Sequence, residues 1–246
     1  MRSRHEFREE ILSSENIDTA VGVLADALHE IGIDRFITGY VGGAAQDPTG
    51  RWRMYKHRSF NFPVGWDRAW HLFNAHCPYY HACFDGRVAF DWAMIRARPD
   101  LTEKERGAWR YLADFGLTRG FTVPTHAPGH FGFVTVVGEP NDRSWVRRAE
   151  ANIASLLFLT HIYHEAVRER FPEFFVSADR AVLSCREREC LSWVAAGKTT
   201  DELAAILDLS RETVRIYMKR AMRKLGANTR SQAIALAYRE GLLKVE

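Results

Sequence analysis

The stretch "LSCRERECLSWVAAGKTTDELAAILDLSRETVRIYMKRAMRKLG", residues 183–226, leaves its part of the chain little conformational choice. Ser184 stands three residues ahead of Glu187, and Thr199 three ahead of Glu202. At that spacing a hydroxyl and a carboxylate cap a helix start reciprocally. Ser210 is placed to cap a third helix, and Gly197 and Gly226 close the first and third segments. Two short helices joined through "LDLSRE" predict a helix-turn-helix. In the third segment Val214, Met218, Ala221 and Leu225 fall on one helix face. Arg211, Arg215, Lys219 and Arg223 recur every four residues on another, with Arg220 and Lys224 beside them and Glu212 the one acid. Such a row of cations matches phosphates and base edges in a major groove. The alternative is a solvated basic face; the helix-turn-helix spacing ahead of it favours DNA.

The charge distribution agrees. The net charge of +3 is small, but Ser177 to Glu246 carry 13 Lys and Arg against 9 Asp and Glu, leaving the first 176 residues at 21 against 22. The surplus lies in the C-terminal part and points to a polyanionic partner there. No apolar run follows "MRSRHEFREE", and "ANIASLLFLTHIYHEAV" is too short and polar to span a bilayer, so neither a signal peptide nor a membrane partner is expected. Four cysteines in 246 residues make no disulfide framework, and a reducing cytoplasm is the expected compartment.

Ahead of the basic region, "SSENIDTAVGVLADALHEIGI" has helical spacing in Val21, Leu24, Ala25, Leu28 and Ile31. "RFITGYVGG" and "GRWRMYKHRS" read as strands joined by the turn-rich "GGAAQDPTG". "PVGWDRAWHLFNAH" reads as a helix with Trp66, Trp70 and Phe73 on one face, and "TEKERGAWRYLADFG" as a helix opened by a box from Thr102 to Glu105. "GFTVP" and "GHFGFVTVVG" read as strands, and residues 143–170 as one long helix. The order predicts an antiparallel sheet between helices, an α/β sandwich of α-β-α layers, followed by an all-α domain. The expected boundaries are 1–170, a linker at 171–181, and 182–246.

The run from Leu183 to Ala237 resembles the DNA-binding domain of LuxR-type transcription regulators, with the family's marker Glu, Leu and Gly on Glu187, Leu191 and Gly197. The resemblance implies that Arg215 and Lys219 reach bases, and that Lys198, Thr213 and Arg220 contact phosphates; Arg211 joins them from the cationic row. It also implies that the last helix, "SQAIALAYREGLL", helps pair two copies through Ala233, Ile234, Leu236 and Ala237. The competing role for that helix is to close the core of its own domain.

"FNFPVGWDRAW", "VAFDW", "YLADFGLTRGFTVP" and "GHFGFVTVV" resemble the autoinducer-binding domain, which senses acyl-homoserine lactones. The resemblance implies that Trp66 donates to the lactone carbonyl and that Trp92 walls the lactone. Trp70 stands where the family has a Tyr that bonds the acyl carbonyl. Counting back from Trp92, the family's Asp-Pro pair, whose Asp accepts the ligand amide N–H, falls on Cys77-Pro78. A thiol is a weak acceptor where the family has a charged one. Phe62, Tyr79, Tyr80, Trp109 and Phe133 are expected to make the pocket small and aromatic, and Thr135 matches a pocket hydroxyl.

The cluster "HCPYYHAC" admits three readings. A zinc site from His76, Cys77, His81 and Cys83 lacks the spacing of a ribbon or finger; a Cys77–Cys83 redox pair needs close approach. The favoured reading is a pocket that has lost its amide acceptor, with Cys83 an ordinary residue, His76 and His81 solvated, and no metal or cofactor. The pocket then takes a different ligand, aromatic or cyclic, or none, or an acyl-homoserine lactone held by Trp66 and Thr135. The chain is expected to be a homodimeric regulator that binds an inverted repeat in double-stranded DNA, not an enzyme: no oriented base or oxyanion donor accompanies Cys77. An antagonist forming mixed dimers with a related regulator is the alternative.

Overall fold

The computed structural model describes residues 3–43, 46, 50–127, 129–142, 144–175 and 183–243. The chain divides into two compact units. One takes the residues up to Phe175 except 42–44 and 127–130; the other takes those short stretches and the residues from Val176 onward.

In the first unit a sheet of five strands runs in the order β2-β1-β5-β4-β3, made of β1 (Phe36–Gly42), β2 (Lys56–Phe60), β3 (Phe90–Asp91), β4 (Gly120–Ala127) and β5 (His130–Val137). Strands β1 and β2 pair antiparallel with Phe36 opposite Phe60, and β3 and β4 with Phe90 opposite Thr122. Alternation along a strand sends neighbours to opposite faces. Phe36, Tyr40, Val123, Val134 and Val136 face one core, with α1 (Arg4–Leu12), α2 (Ile17–His29) and α7 (Ile153–Arg170) packed there. Ile37, Val41, Phe131, Phe133 and Val137 face the other, under α3 (Pro78–Ala82), α4 (Trp92–Arg96) and α5 (Glu103–Asp114). The unit is thus the expected α-β-α sandwich.

Several local expectations change. Helix α1 was not expected; its apolar contacts come from Phe7 and Ile11, both fully buried, and from the half-buried Leu12. The helix expected over 63–76 is two 3₁₀ segments, Trp66–Leu72 and Asn74–His76. Gly65 enters at φ 78°, and the Tyr111 hydroxyl donates to the Trp66 carbonyl while accepting from Ala69 N, intercepting groups an α-helix would use. The strand expected over 50–59 shrinks to β2, because Trp52 leaves the edge to stack on His81 at 4.2 Å. Strand β4 runs on past Pro124 to Ala127, since the two-residue β3 pairs only with Phe121 and Thr122 and asks no N–H of Pro124. The long helix breaks into α6 (Trp145–Ala151) and α7 at Asn152, whose side-chain amide donates to the Arg148 carbonyl at 2.9 Å. Of the expected linker, Phe171 and Phe175 are buried in the first unit's core; 176–181, like the turn residues 47–49, lie outside the described residues.

The second unit holds α8 (Cys185–Ala195), α9 (Thr200–Leu207), α10 (Arg211–Leu225) and α11 (Arg230–Arg239) among its described residues. Both capping boxes form as the sequence predicts. The turn of the helix-turn-helix is Asp208 at φ 51°, Leu209, whose N–H returns to the Ala204 carbonyl at 2.9 Å, and Ser210, which accepts from Thr213 N at 3.0 Å.

Candidate ligand cavity and nucleic-acid interface

On the α3–α5 side of the sheet a cavity is walled by Ile37, Tyr55, Phe62, Trp66, Trp70, Cys77, Tyr79, Tyr80, Cys83, Trp92, Leu112, Thr122, Phe133 and Thr135. The cavity volume is about 20 Å³. That is room for about one water, so any larger ligand must shift wall side chains. Nine of the ten expected pocket residues stand on this wall. Trp109 does not: its helix faces it elsewhere, with the Arg96 guanidinium 5.8 Å from its ring.

The wall is ordered by ring contacts. Tyr79 stacks on Trp92 at 3.9 Å and 4°. A Cβ on Gly120 would lie 2.6 Å from the Trp92 indole, so only glycine lets β4 carry that ring. Trp66 and Trp70 lie 5.6 Å apart, and Tyr55 meets Tyr80 at 4.8 Å and Phe133 at 5.0 Å. Trp66 Nε1, expected to serve a ligand carbonyl, donates to Ser59 Oγ at 3.1 Å. Trp92 Nε1 donates to Thr122 Oγ1 at 3.0 Å, and the Thr122 and Thr135 hydroxyls lie 2.7 Å apart. Trp70 Nε1, Tyr79 Oη and Tyr80 Oη are buried with no hydrogen-bond partner among the described residues. Ile37, Tyr55, Cys83, Leu112 and Thr122 were not in the expected site; only the alternation of Thr122 with Val123 along β4 signalled that Thr122 faces the cavity.

Burial sets the protonation of the wall. It pushes the Cys77 thiol up to about 12 and raises Cys83, Tyr55, Tyr79 and Tyr80 as well, so all five stay neutral near pH 7. Cys83 is a wall residue whose thiol donates to the Tyr79 carbonyl at 3.3 Å. His81 is not solvated as expected: it is bonded to Glu105 and to the Ala75 carbonyl, each at 3.0 Å. Among the described residues no group of three or more His, Cys, Asp or Glu could hold a metal, and both Cys77 and Cys83 are free thiols.

In the second unit Val214, Met218 and Ala221 of α10 are buried, with Leu225 half-buried beside them. Arg211, Arg215, Lys219, Arg220 and Arg223 are exposed; Lys198 and Thr213 are partly so. Arg211 pairs with Asp201 at 2.7 Å, Arg215 with Glu212 at 3.5 Å, and Lys198 with Glu202 at 3.3 Å. Exposed pairs of this kind are worth little and exchange readily for phosphate. Lys224, counted with the basic face from sequence, is instead tied at 2.7 Å to the buried Glu187, where it completes the α8 cap. Ile216, which sequence reasoning passed over, is exposed beside Arg215. Ala233 and Ala237 of α11 are fully buried, with Ile234 and Leu236 packed on the same core. Ala233 and Ala237, four apart, let α11 lie close against its own core, while Ile234 and Leu236 stay half-buried.

A ring-walled cavity lies in one unit and a capped helix-turn-helix with a cationic face in the other. Residues 16–167 match the family described as "Autoinducer binding domain", and residues 181–237 match "Bacterial regulatory proteins, luxR family". The chain belongs to the luxR family of bacterial regulators that carry an autoinducer-binding domain. Among its relatives, the HTH-type transcriptional regulator y4qH of Sinorhizobium fredii is 28% identical over 187 residues, 75% of this chain and 56% of its own. The transcriptional activator TraR of Agrobacterium vitis is 28% identical over 159 residues, 64% of this chain and 66% of its own. The chain thus spans less than two thirds of either relative. Transcriptional activator VanR of Vibrio anguillarum is 29% identical over 194 residues, 77% and 67% of the two chains. The fold is shared with Escherichia coli SdiA, at TM-score 0.66 and 22% identity over 98% of each chain, and with an SdiA complex with octanoyl-rac-glycerol, at TM-score 0.68 and 20% identity over 98% of each.

Proposed function

We propose that the chain is a cytoplasmic, homodimeric transcription regulator that binds an inverted repeat in double-stranded DNA under the control of a small molecule held in its N-terminal cavity. The observation that carries the DNA half is the exposed row Arg211, Arg215, Lys219, Arg220 on a helix whose start is fixed by Ser210. Such a row supplies both bidentate donors for base edges and point charges for phosphates. Arg215 and Lys219 are assigned to bases; Lys198, Thr213 and Arg220 to phosphates; Arg211 to the groove entrance. The ligand half is supported by the ring-walled cavity, whose residues Phe62, Trp66, Trp70, Cys77, Tyr79, Trp92, Phe133 and Thr135 are assigned to ligand contact, and by the octanoyl-glycerol that the SdiA complex holds. A buried, neutral Cys77 thiol gives no support to a thiol enzyme, and the relatives are named as regulators and activators.

Fluorescence anisotropy with a selected operator tests this. Arg215→Ala should weaken binding by about 1–3 kcal/mol and relax sequence preference at one position per half-site. Lys198→Ala should weaken all sequences alike and flatten the log–log salt slope by about one. Unchanged affinity and preference in Arg215→Ala would show that α10 is not the reading helix.

A further inference from the structure

The cavity wall holds hydrogen-bond donors that the described residues leave without partners. Trp66 and Trp92 have spent their indole N–H groups on Ser59 and Thr122. Trp70 Nε1 is buried and makes no hydrogen bond of good geometry, although the Tyr55 hydroxyl lies close enough to interact with it, and an indole nitrogen can only donate. The hydroxyls of Tyr79 and Tyr80 are buried with no hydrogen-bond partner among the described residues. The Thr122–Thr135 pair shares a single hydrogen bond at 2.7 Å, so whichever hydroxyl donates, one proton of the pair is left over. Each unmet donor is destabilising for as long as it stays buried.

Acceptors are scarce by comparison. Among the described residues no Asp, Glu, Lys, Arg or His stands on the wall. The two thiols there are neutral and weak, and Cys83 already donates to the Tyr79 carbonyl. A tyrosine hydroxyl can accept from a ligand, but its own proton must then still be placed. A charged ligand would meet no counter-charge, and an isolated ion is costly to bury. Shape adds a further limit: the wall is mostly aromatic rings in contact with one another, and the free space between them is small.

We propose that this cavity binds a compact, uncharged cyclic molecule rich in hydrogen-bond acceptors and poor in donors, of the aromatic lactone, ester or ketone class, oriented by Trp70 Nε1, Tyr79 Oη and Tyr80 Oη. The amide N–H of an acyl-homoserine lactone finds no strong acceptor here, and its flexible chain finds little room. This rests on the reading of the N-terminal unit as a ligand domain.

Isothermal titration calorimetry on the full chain tests it, with coumarin and methyl benzoate as acceptor-only probes, benzoate as the charged counterpart and N-octanoyl-homoserine lactone as the amide-bearing one. Saturable binding is expected for coumarin or methyl benzoate and none for benzoate. Trp70→Phe keeps a ring but removes the donor, and should weaken the bound probe about five- to tenfold, the loss of one buried hydrogen bond. Cys77→Asp should shift preference towards N-octanoyl-homoserine lactone by restoring a carboxylate acceptor. The proposal is overturned if neither uncharged probe binds, if N-octanoyl-homoserine lactone binds the wild-type chain more tightly than both, or if Trp70→Phe changes the affinity less than twofold. DNA selection by the same preparation separates the failures: a chain that selects operators but takes no acceptor-only probe refutes this proposal alone.

Discussion

Gly39→Ala is the sharpest structural test, because strand β1 and the cavity meet at that residue. Gly39 lies in a strand, where alanine has no backbone objection, yet a Cβ there would sit 2.1 Å from Phe133 Cε1 and 2.2 Å from Cζ. Reaching ordinary contact at 3.4 Å requires the ring to move by about 1.3 Å, derived from those two separations. Phe133 is itself held by Tyr55 at 5.0 Å, so the ring must be driven into the cavity or the strands must part. Overpacking of this kind costs about 1–3 kcal/mol, which for a chain of this size lowers Tm by about 2–12 °C. Circular dichroism melting reads the loss, and calorimetric titration with the probe that binds wild type reads the narrowed cavity. Phe133→Leu on the Gly39→Ala background should recover a good part of the stability, a coupling of about 0.5–3 kcal/mol. A Gly39→Ala chain that melts within a degree of wild type, or a double variant without recovery, would refute the placement of Phe133 over Gly39 and with it the floor of the cavity.

Other outcomes follow from the same contacts. His164 is fully buried, donates through Nδ1 to the Thr160 carbonyl and accepts through Nε2 from Thr38; burial lowers its pKa to about 3. The unfolded chain therefore binds the extra proton, and this group's contribution is complete above pH 6.5 and falls by about 1.4 kcal/mol per pH unit from there down to about 3; His164→Gln should remove that part of the pH dependence in urea titrations. Thr199→Ala should cost the second unit about 0.5–2 kcal/mol, since the side chain caps α9 through Glu202 N at 3.3 Å. Lys224→Met should destabilise that unit more than Lys219→Met, because only Lys224 neutralises the buried Glu187; equal melting shifts would contradict the assignment of Lys224 to structure and Lys219 to DNA.

Much of this was legible from residues wherever local chemistry decides the outcome. Capping boxes at Ser184 and Thr199 act over three residues and need no tertiary help, so α8 and α9 were readable. Alternation exposed β1 and β5, and the helical spacing of Val21, Leu24 and Leu28 exposed α2. What escaped depends on partners distant in the chain. Tyr111 remakes the hydrogen bonds of the segment at Trp66 from 45 residues away. Trp52 leaves an edge strand for His81, and α1 is held by Phe7, Ile11 and Leu12 on a helix otherwise full of charge. In the site, the family resemblance brought Trp66, Trp70, Cys77 and Trp92 together, but it could not show that Ser59 already occupies Trp66 Nε1, nor that Trp109 turns away. Lys224 illustrates the limit for charge patterns: the sequence shows a cation on the basic side, and only the fold shows the buried carboxylate it serves.

The central claim is that α10 reads DNA as part of a two-fold symmetric dimer. Selection of the full-length chain against a random-sequence DNA library, at fixed salt and with the bound probe present or absent, tests it most directly. The account predicts enrichment of an imperfect inverted repeat with half-sites about one helical turn or a multiple apart, abolished or relaxed by Arg215→Ala. Retention of DNA without sequence enrichment, falling away uniformly as salt rises, would show a basic surface and no regulator.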